Sequence, residues 1–273
     1  MSSVLVNSVD LSGLSARWRA FKNRIYRRKV MFIHVPKSGG TSLSHALRAA
    51  YPLSYFKLDE DASRKACADL DGAEWMRFKQ RLLAYHAERD THFIQGHVPV
   101  DRTFLDRFGA DYKFVTLLRE PVDRVISHYY FDPRLNSLSW EAFLDSPRGR
   151  SETRLLCHFF GELPWHAPGL GAEAVPRALD TLSRFAVVGL IEDEPAFARD
   201  CKAALGLSLR LPRRNAGAVR KAAGDRLDPA VRARIEEMCA LDTEIYGEIA
   251  RRVAGRAADG IQDNTPPRLR SAG

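Results

Sequence analysis

Apolar residues recur at helical spacing between residues 11 and 29, where Leu14, Trp18, Phe21 and Ile25 fall on one stripe among basic neighbours. Such a stripe suits packing on the chain's own domain, with peripheral contact to a membrane surface as the alternative. The run Val30-Met31-Phe32-Ile33-His34-Val35 then reads as a buried strand. Pro36-Lys37-Ser38-Gly39-Gly40 breaks it, and a helix is predicted from about Thr41, with Leu43, Ala46, Leu47 and Ala50 on one face. Residues 61–90 read as helical, carrying Trp75, Phe78, Leu82 and Tyr85 on a stripe. His92-Phe93-Ile94-Gln95 predicts a second strand, closed by Gly96-His97-Val98-Pro99.

A third strand, Tyr112 to Leu118, runs into Arg119-Glu120-Pro121. Pro121 suits the first turn of a helix, where its missing N–H costs nothing, and Val122, Val125, Ile126 and Tyr129 continue that helix as an apolar face. Residues 132–172 are punctuated by Pro and Gly, with short helices predicted at 139–145 and 151–160. Phe185 to Ile191 reads as a fourth strand and 195–205 as a helix. A long final helix is predicted from Asp228-Pro229, carrying Ile235, Met238, Ile245, Ile249 and Val253. Three segments follow: a basic amphipathic helix over 1–29, a main domain over 30–254 and a polar, disordered tail over 255–273.

Strands alternating with helices predict an α/β fold, a three-layer, P-loop-like parallel sheet flanked by helices. Ligands in such sheets bind beyond the carboxyl ends of the strands, and three chemically suggestive segments sit at predicted strand ends.

Composition is that of a globular enzyme, with 45% hydrophobic and 28% charged residues over 273 positions. The net charge of +8 favours anionic ligands. Its distribution is uneven: between Leu11 and Leu58 there is no Asp or Glu, while Arg17, Arg19, Lys22, Arg24, Arg27, Arg28, Lys29, Lys37, Arg48 and Lys57 all lie there. Cys67, Cys157, Cys201 and Cys239 form neither a C-x-x-C pair nor a zinc-spaced cluster, and read as reduced thiols of a cytoplasmic protein. No apolar run approaches the ~20 residues needed to span a bilayer.

The segment Pro36-Lys37-Ser38-Gly39-Gly40-Thr41-Ser42 joins a strand to a helix. Paired glycines let backbone N–H groups approach a ligand, the helix start adds unpaired N–H groups and a positive dipole end, and Lys37, Thr41 and Ser42 add a charge and hydroxyl donors. The chemistry is that of a pocket for a phosphate-like group. It is not a Walker A loop, in which lysine follows the glycines and directly precedes Ser or Thr; here Lys37 precedes both glycines.

Phe32-Ile33-His34-Val35-Pro36-Lys37-Ser38-Gly39-Gly40-Thr41-Ser42-Leu43 resembles the 5′-phosphosulfate loop of the sulfotransferases that use 3′-phosphoadenosine-5′-phosphosulfate (PAPS). The resemblance is greatest to the carbohydrate branch, of heparan 2-O and chondroitin type, and its bacterial relatives. Val115 to Tyr129 resembles the family's 3′-phosphate motif, with Arg119 at a strand end and Ser127 eight positions later on the following helix. Arg119 could grip a phosphate by a two-point fork. The resemblance implies two cradles for a nucleotide phosphorylated at both the 5′ and 3′ positions. It also implies that His97, in the Gly-His after the second strand, is the general base, a role suited to an imidazole titrating near neutrality. Glu88 is the rival, because some sulfotransferases use a carboxylate. Arg213-Arg214-Asn215 resembles the family's loop near the nucleotide, which brings Arg213 into the candidate set.

Weaker similarity extends over Glu152 to Cys157, Val187 to Glu192 and Leu241 to Tyr246. Ser151 and His158 depart from the family pattern in the region that lines the acceptor site. The Golgi members carry a membrane anchor and nothing here reads as one, so a soluble bacterial-type enzyme is expected. The implied donor is PAPS, with 3′,5′-adenosine bisphosphate as product and no metal. The implied acceptor is a saccharide or cell-envelope glycan, with no nucleic-acid partner. The alternatives are a P-loop nucleotide kinase or phosphotransferase, revealed by magnesium-dependent ATP turnover, and a non-enzymatic nucleotide-binding protein.

Overall fold

The computed structural model describes residues 12–165, 171–209 and 227–259. Its centre is a five-stranded parallel sheet of order β2-β3-β1-β4-β5. The strands are β1 (Lys29–Ile33), β2 (Tyr55–Lys57), β3 (Phe93–Gly96), β4 (Tyr112–Leu118) and β5 (Val187–Leu190). The central strand β1 pairs with β3 in the register Ile33 with Gly96, and with β4 in the register Phe32 with Val115.

Alternation along β1 divides the core. Val30 and Phe32 face one layer with Leu43, Leu47, Val115, Leu117 and Phe197, beneath helices α2 (Gly40–Ala50) and α12 (Glu194–Leu205). Met31 and Ile33 face the other layer, with Leu83, Phe104, Phe114, Phe160, Leu182 and Ile249. That layer is built from α4 (Gly72–Glu88), α5 (Arg102–Phe108), α10 (Leu155–Phe160), α11 (Ala174–Ser183) and α14 (Ala240–Asp259). Every strand but the short edge strand β2 is buried on both faces, which is why their sequences run apolar without alternation. A satellite cluster, including Val125, Tyr129, Phe143 and Ile235, joins α6 (Pro121–Tyr129), α7 (Pro133–Asn136), α8 (Trp140–Asp145) and α13 (Pro229–Met238). Helix α9 (Pro147–Glu152) links α8 to α10.

The expected three-layer α/β architecture is present, with differences in detail. The stretch read as one helix over 61–90 is two, α3 (Glu60–Ala66) and α4. The break is set by Asp71, whose carboxylate accepts from Glu74 N while Asp71 N donates to Glu74 Oε2, a reciprocal cap. The last helix likewise divides at Cys239 into α13 and α14, and α14 continues through Gly255 to Asp259. Sequence periodicity missed β2, α5, α7 and α11, and the helix expected over 151–160 is instead the end of α9 and all of α10, broken at Thr153-Arg154. Helix α1 (Ser12–Ile25) forms as expected, but Trp18, Phe21 and Ile25 are each about half exposed instead of packed on the domain. No helix among the described residues is long and apolar enough to cross a membrane, and all four cysteines are free and buried.

Candidate active site

The carboxyl ends of β1, β3 and β4 lie side by side, and the three motifs emerge there. After Ile33 the chain turns through a loop in which Lys37 (φ 68°) and Gly39 (φ 73°) both occupy the left-handed region. For Gly39 this is free of cost; for Lys37 it is a strained conformation of the kind that concentrates at functional sites. Helix α2 starts at Gly40 with no side chain capping its first N–H groups. Ser38 is fully buried, and its hydroxyl has no partner among the described residues. Unpaired N–H groups, a buried unpartnered hydroxyl and an adjacent ammonium are together what a phosphate or sulfate group would satisfy. The residues present therefore fit a phosphate- or sulfate-bearing ligand. Thr41 is exposed and Ser42 half-buried at the same helix start.

Arg119, at the end of β4, donates from Nη1 to the Lys37 carbonyl at 3.4 Å, which brings the two anion motifs together. It forms no ion pair among the described residues; the neighbouring Glu120 instead caps α6, accepting from Val122 N and Asp123 N at 3.1 and 2.7 Å. Ser127 lies on α6 and is buried. Arg124, one turn earlier, is not a ligand-facing group: it is 1% exposed and held by Glu152 at 3.1 Å. Arg213 lies outside the described residues.

His97 follows β3. Its Nδ1 is 2.6 Å from the His34 carbonyl oxygen, which can only accept, so Nδ1 carries the proton and Nε2 keeps its lone pair. Burial lowers the His97 pKa from 6.5, opposed by nearby Glu60 and by the hydrogen bond to His34. The ring is thus neutral at physiological pH, in the tautomer that accepts a proton at Nε2. The His97 carbonyl accepts from Lys79 Nζ at 2.7 Å, and Lys79, itself 1% exposed, pairs with Glu60 at 3.1 Å. Glu88 lies elsewhere. It ends α4, before β3 begins, and makes an exposed ion pair with Arg107 at 2.7 Å.

Three participants were invisible to sequence reasoning. His34, expected within the first strand, sits just past its end with its ring 4.3 Å from that of His97, centroid to centroid. It receives the Gln95 amide at 3.5 Å, and Ser44 in turn donates to Gln95 Oε1 at 2.6 Å. Phe131, exposed just after α6, has its ring centroid 3.3 Å from Lys37 Nζ. Glu152, within a segment of weaker family similarity, is the buried counter-ion of Arg124 and Arg148 and lies 2.8 Å from His128 Nδ1. Burial opposes its ionisation, but His128, Arg148 and Arg124 hold its carboxyl well below the usual range.

The architecture is that of an α/β protein with a glycine-containing turn between its central strand and the following helix. Residues 27–158, which contain all three motifs, match the family described as "Sulfotransferase domain". Over that span, just under half of its length, the chain is similar to sulfotransferases. No curated protein matches the sequence. Among solved structures, a sulfotransferase from Alicyclobacillus acidocaldarius aligns at 22% identity with a TM-score of 0.45, covering 82% of this chain and 96% of that one.

Proposed function

We propose that this protein transfers a sulfuryl group from PAPS to an acceptor hydroxyl, with a saccharide as the acceptor class. The observation that carries this reading is the convergence of the Lys37 loop, His97 and Arg119 on one edge of the sheet, each at the end of an adjacent strand.

In the proposed step the acceptor oxygen forms a bond to sulfur as the bond from sulfur to the 5′-phosphate oxygen breaks in line. His97 takes the acceptor proton at Nε2, and its Nδ1–H, donated to the His34 carbonyl, holds the ring in place for that task. Lys37 and the N–H groups opening α2 face the oxygen on which charge develops as the phosphate leaves. Arg119, at the end of β4, holds the 3′-phosphate, with Ser127 on the following helix α6 as a hydroxyl donor. Ser38, Gly39, Gly40, Thr41 and Ser42 cradle the 5′ end. The scheme uses no metal. Positioning of the two reactants supplies much of the acceleration. Four unpaired thiols support a reducing compartment, the cytoplasm.

Calorimetry with 3′,5′-adenosine bisphosphate and with ATP tests the donor. The bisphosphate should bind more tightly, and Arg119→Ala should weaken it. Lys37→Ala should slow transfer of labelled sulfate by about 10²–10³-fold, the range for losing one transition-state charge partner. Tight ATP binding with no bisphosphate complex would refute the assignment.

A further inference from the structure

Helix α1 is joined to the domain in an unusual way. Of residues 16–25 only Lys22 is buried; its ammonium donates to the Asp90 carbonyl at 3.1 Å and to Ser54 Oγ at 3.4 Å. A charged residue is thus the anchor, and the large apolar residues beside it are left about half exposed. Trp18 is 48% exposed, Phe21 46% and Ile25 47%, with the Trp18 and Phe21 rings stacked 5.4 Å apart. Leu53, half exposed, adds an apolar tip at the same edge through its N–H, which donates to Tyr26 Oη at 3.0 Å.

A helix of 14 residues held at one point is marginal in water, since helices of this length depend on burying an apolar face. The charge around this face says what can cover it. Arg17, Arg19, Arg24, Arg27 and Arg28 are all exposed, and none is in an ion pair among the described residues. Asp90, beside the anchor, is already paired with Lys29 at 2.5 Å. An aromatic stripe with unneutralised arginines on its flanks matches an anionic lipid surface: apolar side chains enter the acyl boundary and the guanidinium groups meet the headgroups.

We propose that α1 docks the protein peripherally on anionic membranes through Trp18, Phe21 and Ile25. The helix leads into the amino end of β1, whereas the transfer loop leaves its carboxyl end. A docked molecule therefore keeps the candidate active site on the opposite edge of the sheet, open to water-borne donor and acceptor. This inference stands independently of the reaction assigned above.

The experiment is co-sedimentation of the full chain with vesicles of phosphatidylcholine alone, and with vesicles containing roughly one-third phosphatidylglycerol. Binding should be confined to the anionic vesicles and weaken in high salt. Trp18→Ser/Phe21→Ser and, separately, Arg17→Glu/Arg24→Glu should each lower the partition coefficient by about tenfold or more. Both variants should keep the wild-type circular dichroism and thermal midpoint, because the altered side chains are exposed. Equal binding to neutral vesicles, no binding to either, or unchanged binding by the serine variant would overturn the proposal. So would a dimer in sedimentation equilibrium that the serine variant abolishes, since a second copy would then be what covers the stripe.

Discussion

Replacing Gly40 by alanine tests whether the Lys37–Gly40 loop and the proposed base are one mechanical unit. A Cβ at Gly40 would lie 2.2 Å from His34 Nε2 and 2.3 Å from Cδ2, so the imidazole would have to retreat by about 1 Å to reach ordinary contact. It has little room to do so. Its ring stacks on Phe32 at 5.0 Å and lies 4.3 Å from His97, and Gln95 holds its Nδ1 at 3.5 Å. Overpacking of this kind costs about 1–3 kcal/mol, which in a chain of this size lowers the thermal midpoint by roughly 2–10 °C. The kinetic effect should be larger than the loss of stability suggests. The displaced ring pushes on His97, the proposed base, and its backbone carbonyl is what orients the His97 imidazole; a misplacement of about 1 Å at a reacting group can cost about 10²-fold. Gly39→Ala is the control. There the Cβ meets only the flexible tip of Ile191, at 2.1 Å, and the cost is the left-handed φ of 73°, about 1–2 kcal/mol. Thermal unfolding followed by circular dichroism and transfer assayed with labelled PAPS read both effects. A Gly40→Ala enzyme with wild-type midpoint and turnover would refute the coupling.

The remaining expectations concern charge. His97→Ala should retain affinity for 3′,5′-adenosine bisphosphate and lose about 10²–10⁴ in rate. In the wild type, protonation of His97 would remove the proposed base, so activity should fall as pH drops through its pKa; because burial lowers that pKa from 6.5, the rate should be flat through neutrality. A pH–rate profile with its acid midpoint above neutrality would contradict this. Glu152→Ala strands Arg124, 1% exposed, without its counter-ion, and should destabilise the fold by about 3–5 kcal/mol in denaturant titrations. The Glu152 carboxyl is depressed in the folded state. Its contribution is therefore present above the unfolded value of about 4.3 and is lost as pH falls further. A Glu152→Gln variant should lack that component of the acid transition, and an unaltered transition would argue against it.

Much of this protein was legible in its sequence. Short apolar runs gave four strands because each is buried on both faces, and β4 was placed at its observed ends. The turn from β1 to α2 was readable because lysine, paired glycines and a helix start must be adjacent in sequence to build that loop at all. Helix breaks were less visible: the cap at Asp71 and Glu74 was present as a local signal, but apolar periodicity continued across it. Only the tertiary structure could decide which distant groups meet. His34 and His97 touch because β1 and β3 pair in parallel with Ile33 opposite Gly96, a register that no local pattern encodes. Glu88 and His97 lie only a few residues apart, yet β3 carries them to opposite edges of the sheet. Arg124 is turned inward by Glu152, and Asp242 on α14 caps α10 by accepting from Leu156 N and Cys157 N at 2.8 and 3.1 Å. Local sequence specified the elements and the turn from β1 to α2, because φ/ψ preference and hydrophobic period act over a few residues. Burial, charge partners and the tautomer of His97 were set by packing, because they depend on groups brought together from far along the chain.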